Sequence, residues 1–175
     1  MKTRTLIACA LALQSVVPAA AVAQVAPAAS MLGGAVVRSI RESPHVTIFD
    51  DVDARVEGDA VVLTGKVTAA AKRSEIEKRV AGLDGVRELR NEILVLPPVP
   101  EDDDLRHRVA KAIYGNPSFW SYAAMSSPPI HIIVERGQVT LKGTVANQVE
   151  RSMARSLATG LGERSLNNEL RTEGR

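Results

Sequence analysis

The chain has 175 residues, 24% charged and 45% hydrophobic, which is room for one ordinary domain or two small ones and too little for a large multidomain enzyme. Aromatic residues make up only 3%, so any core is aliphatic and there is little scope for the stacking platforms that hold single-stranded nucleic acid. The formal charge of +2 disappears once Lys2 and Arg4 are removed with a leader, because the remaining basic residues then match the 20 acidic ones, and no nucleic-acid partner is expected.

Residues 1–23 read as that leader: Lys2 and Arg4, an apolar run from Leu6 to Val17 broken by Pro18, and small residues at Ala21-Val22-Ala23 before a cleavage site after Ala23. The run is too short to cross a bilayer, and the apolar stretch before Cys9 is too short for a lipoprotein signal, so no transmembrane helix and no acyl anchor are expected in the mature chain. Cys9 is the single cysteine, so the mature protein is expected to carry no thiol or disulfide. Secretion to the periplasm is the expected destination. Residues 24–33, rich in Ala, Gly and Ser, read as a flexible tail.

Residues 34–96 form a first unit. Val36, Val37 and Ile40 before Pro44 have amphipathic helical spacing. Val52 to Val56 alternates with period two, and a turn at Gly58-Asp59 leads to a second strand from Ala60 to Val67. Residues 69–81 predict a charged helix burying Ile76 and Val80, closed by Gly82, and Leu89 to Val95 a last strand. Residues 97–103, with three prolines and the start of an acidic run, read as a linker into the next helix.

Residues 104–173 repeat the order. Leu105, Val109 and Ile113 mark a helix stopped at Gly115-Asn116-Pro117. Ile130 to Val134 and Val139 to Val145 are strands about a turn at Arg136-Gly137. Residues 147–159 form a helix with the stripe Val149, Met153 and Leu157, closed by Gly160, and Leu166 to Thr172 is a last strand. The repeat is explicit at an offset of 78 residues, where Glu57, Val61, Leu63, Gly65 and Val67 lie over Glu135, Val139, Leu141, Gly143 and Val145. The fold class is therefore α+β: two αββαβ units, each a small mixed three-stranded sheet packed by two helices.

Val139-Thr140-Leu141-Lys142-Gly143-Thr144-Val145, the turn glycine Gly137, Arg151-Ser152, the late Gly160 and Asn168 together resemble the BON (bacterial OsmY and nodulation) domain family. The first copy matches through Val61 to Val67, Gly82 and Asn91, with Glu57-Gly58-Asp59 in place of the usual turn. The structural motif residues are thus Gly65, Gly82, Gly137, Gly143, Gly160, Asn91 and Asn168. The resemblance implies a periplasmic or outer-membrane-associated protein of the envelope or osmotic-stress type that binds phospholipid surfaces.

No catalytic constellation is present. His45, His107 and His131 do not match between copies and have no ligand spacing, no nucleophile motif occurs, and no metal or cofactor is expected. His131 is expected on a sheet face and the other two exposed near helix ends. Asp102 to Asp104 read as the carboxylate-rich start of a helix.

One cluster stands out. Tyr114, Phe119, Trp120 and Tyr122 fall within nine residues, followed by Met125, in a segment five residues longer than its counterpart in the first copy. Such a segment either dips into a lipid headgroup layer or caps the second copy's core. Residues 105–175 carry ten basic and five acidic side chains, favouring an anionic phospholipid surface. The alternative is a scaffold for an envelope protein, held through exposed strand edges or the face between copies, without lipid affinity.

Overall fold

The computed structural model describes residues 25–173. The expected leader lies outside them. Helix α1 spans Val25–Arg41, followed by strands β1 (Asp51–Glu57) and β2 (Ala60–Val67), helix α2 (Ala70–Ala81), and the short strands β3 (Glu88–Asn91) and β4 (Leu94–Val95). The second copy has α3 (Pro100–Tyr114), a 3-10 turn at Pro117–Phe119, the short helix α4 (Trp120–Ala123), β5 (Ile130–Glu135), β6 (Gln138–Val145), α5 (Gln148–Leu157), β7 (Ser165–Asn168) and β8 (Arg171–Thr172). The expected order αββαβ holds twice.

Each sheet is an antiparallel hairpin with a parallel third strand on the far side of its central strand: β1-β2-β3 and β5-β6-β7, with β4 and β8 continuing along β2 and β6. The third strand is a single strand kinked once. Asn91 and Asn168 make the kink by accepting from the backbone N–H of Ile93 (3.1 Å) and Leu170 (3.2 Å). Their amides reach back to the helix above, Asn91 to Glu77 and Asn168 to the Arg151 carbonyl. Ile93 and Leu170 are thereby turned into the two cores.

Alternation puts Val61, Leu63 and Val67 of β2, and Val139, Leu141 and Val145 of β6, under their own helices, where all six are buried. The first core adds Leu32, Val36, Ile40, Ile76 and Val80, the second Leu105, Val109, Ile113 and Phe119. Gly65 and Gly143 stand at φ +117° and +109°, and a Cβ there would lie 2.1 Å from the Asp51 carbonyl oxygen and 1.8 Å from that of Pro129. Only glycine lets the hairpin close at these points.

Three sequence expectations need correction. Residues 25–33, expected in a tail, belong to α1, and Leu32 is a core residue. Gly82 sits at φ −82°, an ordinary helical value, whereas Gly160 has the expected positive φ of +81°. In α5 the fully buried position is Ala154, followed by Ala158 just past the helix end, with Met153 and Leu157 packed beside them, while Val149 is 69% exposed. The apolar stripe is rotated because small alanines let the helix lie close on the sheet.

The copies meet at residues 47–51. The Ile48 carbonyl accepts from the Ile132 N–H of β5 (2.7 Å), the Asp50 carbonyl from His131 Nδ1 (2.6 Å), and Lys142 Nζ pairs with Asp51 (2.6 Å). Phe49 stacks edge-on against His107, and Ile48 and Phe49 pack on the second core. Lys66 and Glu135 add a half-exposed ion pair at 2.5 Å.

Candidate functional site

The extra residues of the second copy form a small folded element between α3 and β5. Asn116 caps the 3-10 turn by accepting from the Ser118 N–H, and Pro117 starts it with its fixed φ. Phe119 then enters the core completely. The Tyr114 hydroxyl donates to the Ile130 carbonyl (2.6 Å) and accepts from its N–H (3.2 Å), so α3 is tied to the first residue of β5. The Tyr122 hydroxyl donates to Glu150 (2.7 Å) and accepts from the Ala146 N–H, which ties α4 to the start of α5. Burial pushes both phenols above their ordinary pKa, and Glu150 adds to the rise at Tyr122, so both hydroxyls keep their protons as donors.

These rings do not form one patch. Phe119, Tyr114 and Tyr122 belong to the interior or its hydrogen bonds, as the core-capping alternative expects, whereas Trp120 is 61% exposed and Met125 47% exposed. The Trp120 Nε1–H reaches the Gly115 carbonyl at 3.4 Å, which holds the indole at the end of α3. Lys111 lies exposed one turn upstream of Gly115. The pinned residues thus form a platform that presents Trp120 and Met125 outward.

Several structural hydrogen-bonding side chains escaped the sequence. Asp102 is buried and accepts from the N–H groups of Arg136 (2.6 Å) and Gly137 (2.7 Å), holding the β5–β6 turn, with Arg136 itself at φ +52°. Arg106, also buried, donates to the Val134 carbonyl at 2.6 Å. Asp50 is fully buried and accepts from Thr47 and Thr68, backbone and hydroxyl each, and from Lys72 Nζ at 2.6 Å. Burial alone would raise its pKa, but the Lys72 ammonium and the surrounding donors outweigh it and hold the carboxyl below its ordinary value. It ties the turn at Thr47 to Thr68, which leads into α2, and to the Lys72 side chain in the first turn of that helix.

His131 lies on the sheet against the first copy rather than free on its face, and His45 is exposed and bonded to Glu75 at 2.6 Å. Among the described residues no group of three His, Cys, Asp or Glu side chains could hold a metal ion, and no helix is long and apolar enough to cross a membrane. A cleft of about 1600 Å³ lies between the copies, lined by the end of α1 and residues 51–54 of β1 on one side and by residues of 125–131 and Lys142, Gly143 and Thr144 of β6 on the other.

No curated protein matches the chain. Solved structures similar to it include two of CdsD, a structural protein of the type III secretion system of Chlamydia trachomatis. One is 15% identical over 82% of this chain and 92% of that one, with a TM-score of 0.30. The other, its C-terminal domain, is 14% identical over 81% and 96%, with a TM-score of 0.28. At that distance neither bears on function. The family model of the BON domain matches residues 30–97 and again 101–174, taking in both sheets and all the kink, turn and hairpin residues described above, so the chain belongs to the BON domain family and carries two such domains in tandem.

Proposed function

We propose that the protein is a non-enzymatic component of the cell envelope, periplasmic after removal of its leader, that binds anionic phospholipid surfaces through its second BON domain. The observation that carries the reading is the 61% exposure of Trp120, the single tryptophan, on an element whose other rings are locked inward. An indole has an apolar body and one N–H, a composition that favours the boundary between headgroups and acyl chains. Met125 gives a second apolar contact, and the basic excess of residues 105–175 supplies attraction worth about 1 kcal/mol per Lys or Arg near such a surface.

Vesicle sedimentation of the whole protein tests this. Phosphatidylglycerol vesicles should carry it down, phosphatidylcholine vesicles should not, and salt should weaken recovery because the attraction is screened over roughly 10 Å at 0.1 M. Trp120 emission should move to the blue on binding. Trp120→Ala should lose binding with the fold intact, since an exposed side chain contributes little to stability. Equal background recovery with both vesicle types would end the lipid reading.

A further inference from the structure

The two copies differ at one sheet edge. In β5, residues Ile130, Ile132 and Val134 turn their backbone groups away from β6, and most of those groups are taken: Tyr114 takes both groups of Ile130, the Ile48 carbonyl takes the N–H of Ile132, and Arg106 takes the carbonyl of Val134. An offset of 78 residues carries these three onto Val52, Ala54 and Val56 of β1, in the same register, Val52 opposite Gly65 as Ile130 is opposite Gly143. The residues that close the edge are missing there. The core residues Leu32, Val36 and Ile40 of α1 correspond to Leu105, Val109 and Ile113 of α3, which places Gly33 where Arg106 stands and Arg41 where Tyr114 stands. A Cβ at Gly33 meets no atom within 4 Å. Among the described residues no hydrogen bond from beyond the sheet reaches the backbone of Val52, Ala54 or Val56.

The first half of this open edge, Val52 to Ala54, lines the cleft between the copies, continuous with the inter-copy contact at Asp51–Lys142 and His131. At about 1600 Å³ the cleft exceeds the roughly 300–1,000 Å³ of small-molecule pockets. Val37 of α1 and Met125 of the second copy, each 47% exposed, both line it. We infer that the first domain binds an extended protein segment as an added strand on β1, independently of any lipid contact by the second domain.

The chemistry of the segment follows from the pleat. Residues opposite Val52, Ala54 and Val56 share the face toward α1 and Val37, and are apolar. Residues opposite Asp53, Arg55 and Glu57, all exposed and without ion-pair partners among the described residues, are basic, acidic and basic. A second copy of β1 fits poorly. Pairing about Ala54 matches Asp53 with Arg55 but sets Asp51 against Glu57, and the neighbouring registers oppose Asp53 to itself or Arg55 to itself.

The probe is the blocked peptide acetyl-Val-Lys-Val-Glu-Val-Lys-Val-amide, which reads the same in either direction, titrated calorimetrically into the whole protein. It should bind saturably and slow amide exchange at Val52, Ala54 and Val56. The charge-inverted peptide Val-Glu-Val-Lys-Val-Glu-Val, and the first peptide methylated on alternate amides, should bind at least about tenfold more weakly. Gly33→Arg with Arg41→Tyr, which gives the first copy the plugs of the second, should abolish binding. The peptide comparisons need no variant to fold. Absence of saturation up to about 1 mM, or equal affinity of the three peptides, would overturn the inference. A concentration-dependent dimer that the plugged variant disrupts would also overturn it, in favour of a second copy.

Discussion

Asp50→Asn replaces the acceptor at the centre of the corner that joins the two domains. The wild-type carboxylate is fully buried and takes five hydrogen bonds, from the Thr47 N–H and hydroxyl (2.8 Å each), the Thr68 N–H (2.8 Å) and hydroxyl (2.9 Å), and Lys72 (2.6 Å). Asparagine keeps the shape but turns an NH2 toward donors and strips the counterion from an ammonium whose side chain is only 16% exposed. Removing one partner of a buried pair costs about 3–5 kcal/mol, and the water that reaches Lys72 places this variant near the lower end. Urea unfolding at pH 7 gives the cost. Amide exchange at Ile132, bonded to the Ile48 carbonyl two residues from Asp50, reports whether the loss spreads to the second domain.

The pH dependence fixes the cause. The folded state holds the Asp50 carboxyl below the ordinary 3.8, so the unfolded chain binds the proton first as acid is added. The contribution is therefore present in full above about 3.8 and is lost as pH falls through the folded value. The gap between wild type and Asn variant should narrow over that acid window and stay constant from pH 5 to 8. A variant within about 1 kcal/mol of wild type at neutral pH, or a gap that ignores acid, would refute the assignment of Asp50 as the corner's anchor.

Phe119→Ala should cost about 3–5 kcal/mol in the same assay, because the ring is wholly interior, while leaving first-domain amides at Leu63 and Val67 protected. Gly143→Ala forces a Cβ to within 1.8 Å of the Pro129 carbonyl oxygen at a φ of +109°, and should destabilise the second domain by more than about 3 kcal/mol, read as a lowered thermal midpoint.

The fold was legible in the sequence because its determinants are periodic and repeated. Val61, Leu63 and Val67 alternate, Val139, Leu141 and Val145 alternate in the same register, and the glycines between them mark a close backbone approach. What escaped is set by distance along the chain rather than by local pattern. Asp50 accepts from Thr68, 18 residues later, Asp102 holds a turn 34 residues away, and Arg106 bonds a strand carbonyl 28 residues on, so none carries a local signature. The misplaced stripe of α5 has another cause: hydropathy ranks Val149 above Ala154, but close packing on β6 favours the smaller side chain. The aromatic segment was legible as a cluster and illegible in its division, because Phe119 and Trp120 are neighbours and only the turn at Pro117–Phe119 sends one inward and the other out.

An unpaired strand edge invites association with other chains, and the two domains answer that liability by different means. The second fills much of its edge with Tyr114, Arg106 and the Ile48 carbonyl, which take both groups of Ile130, the N–H of Ile132 and the carbonyl of Val134. The first keeps its edge open but arms it with Asp53, Arg55 and Glu57, a pattern that opposes like charges in nearly every self-pairing. Charge suits an edge that must refuse copies of itself while remaining available, and it leaves the apolar positions Val52, Ala54 and Val56 free to choose a partner by alternation and sign. The duplication thereby separates two treatments of the same edge: one domain fills it with its own Tyr114 and Arg106 and with the Ile48 carbonyl, and the other leaves it for a strand.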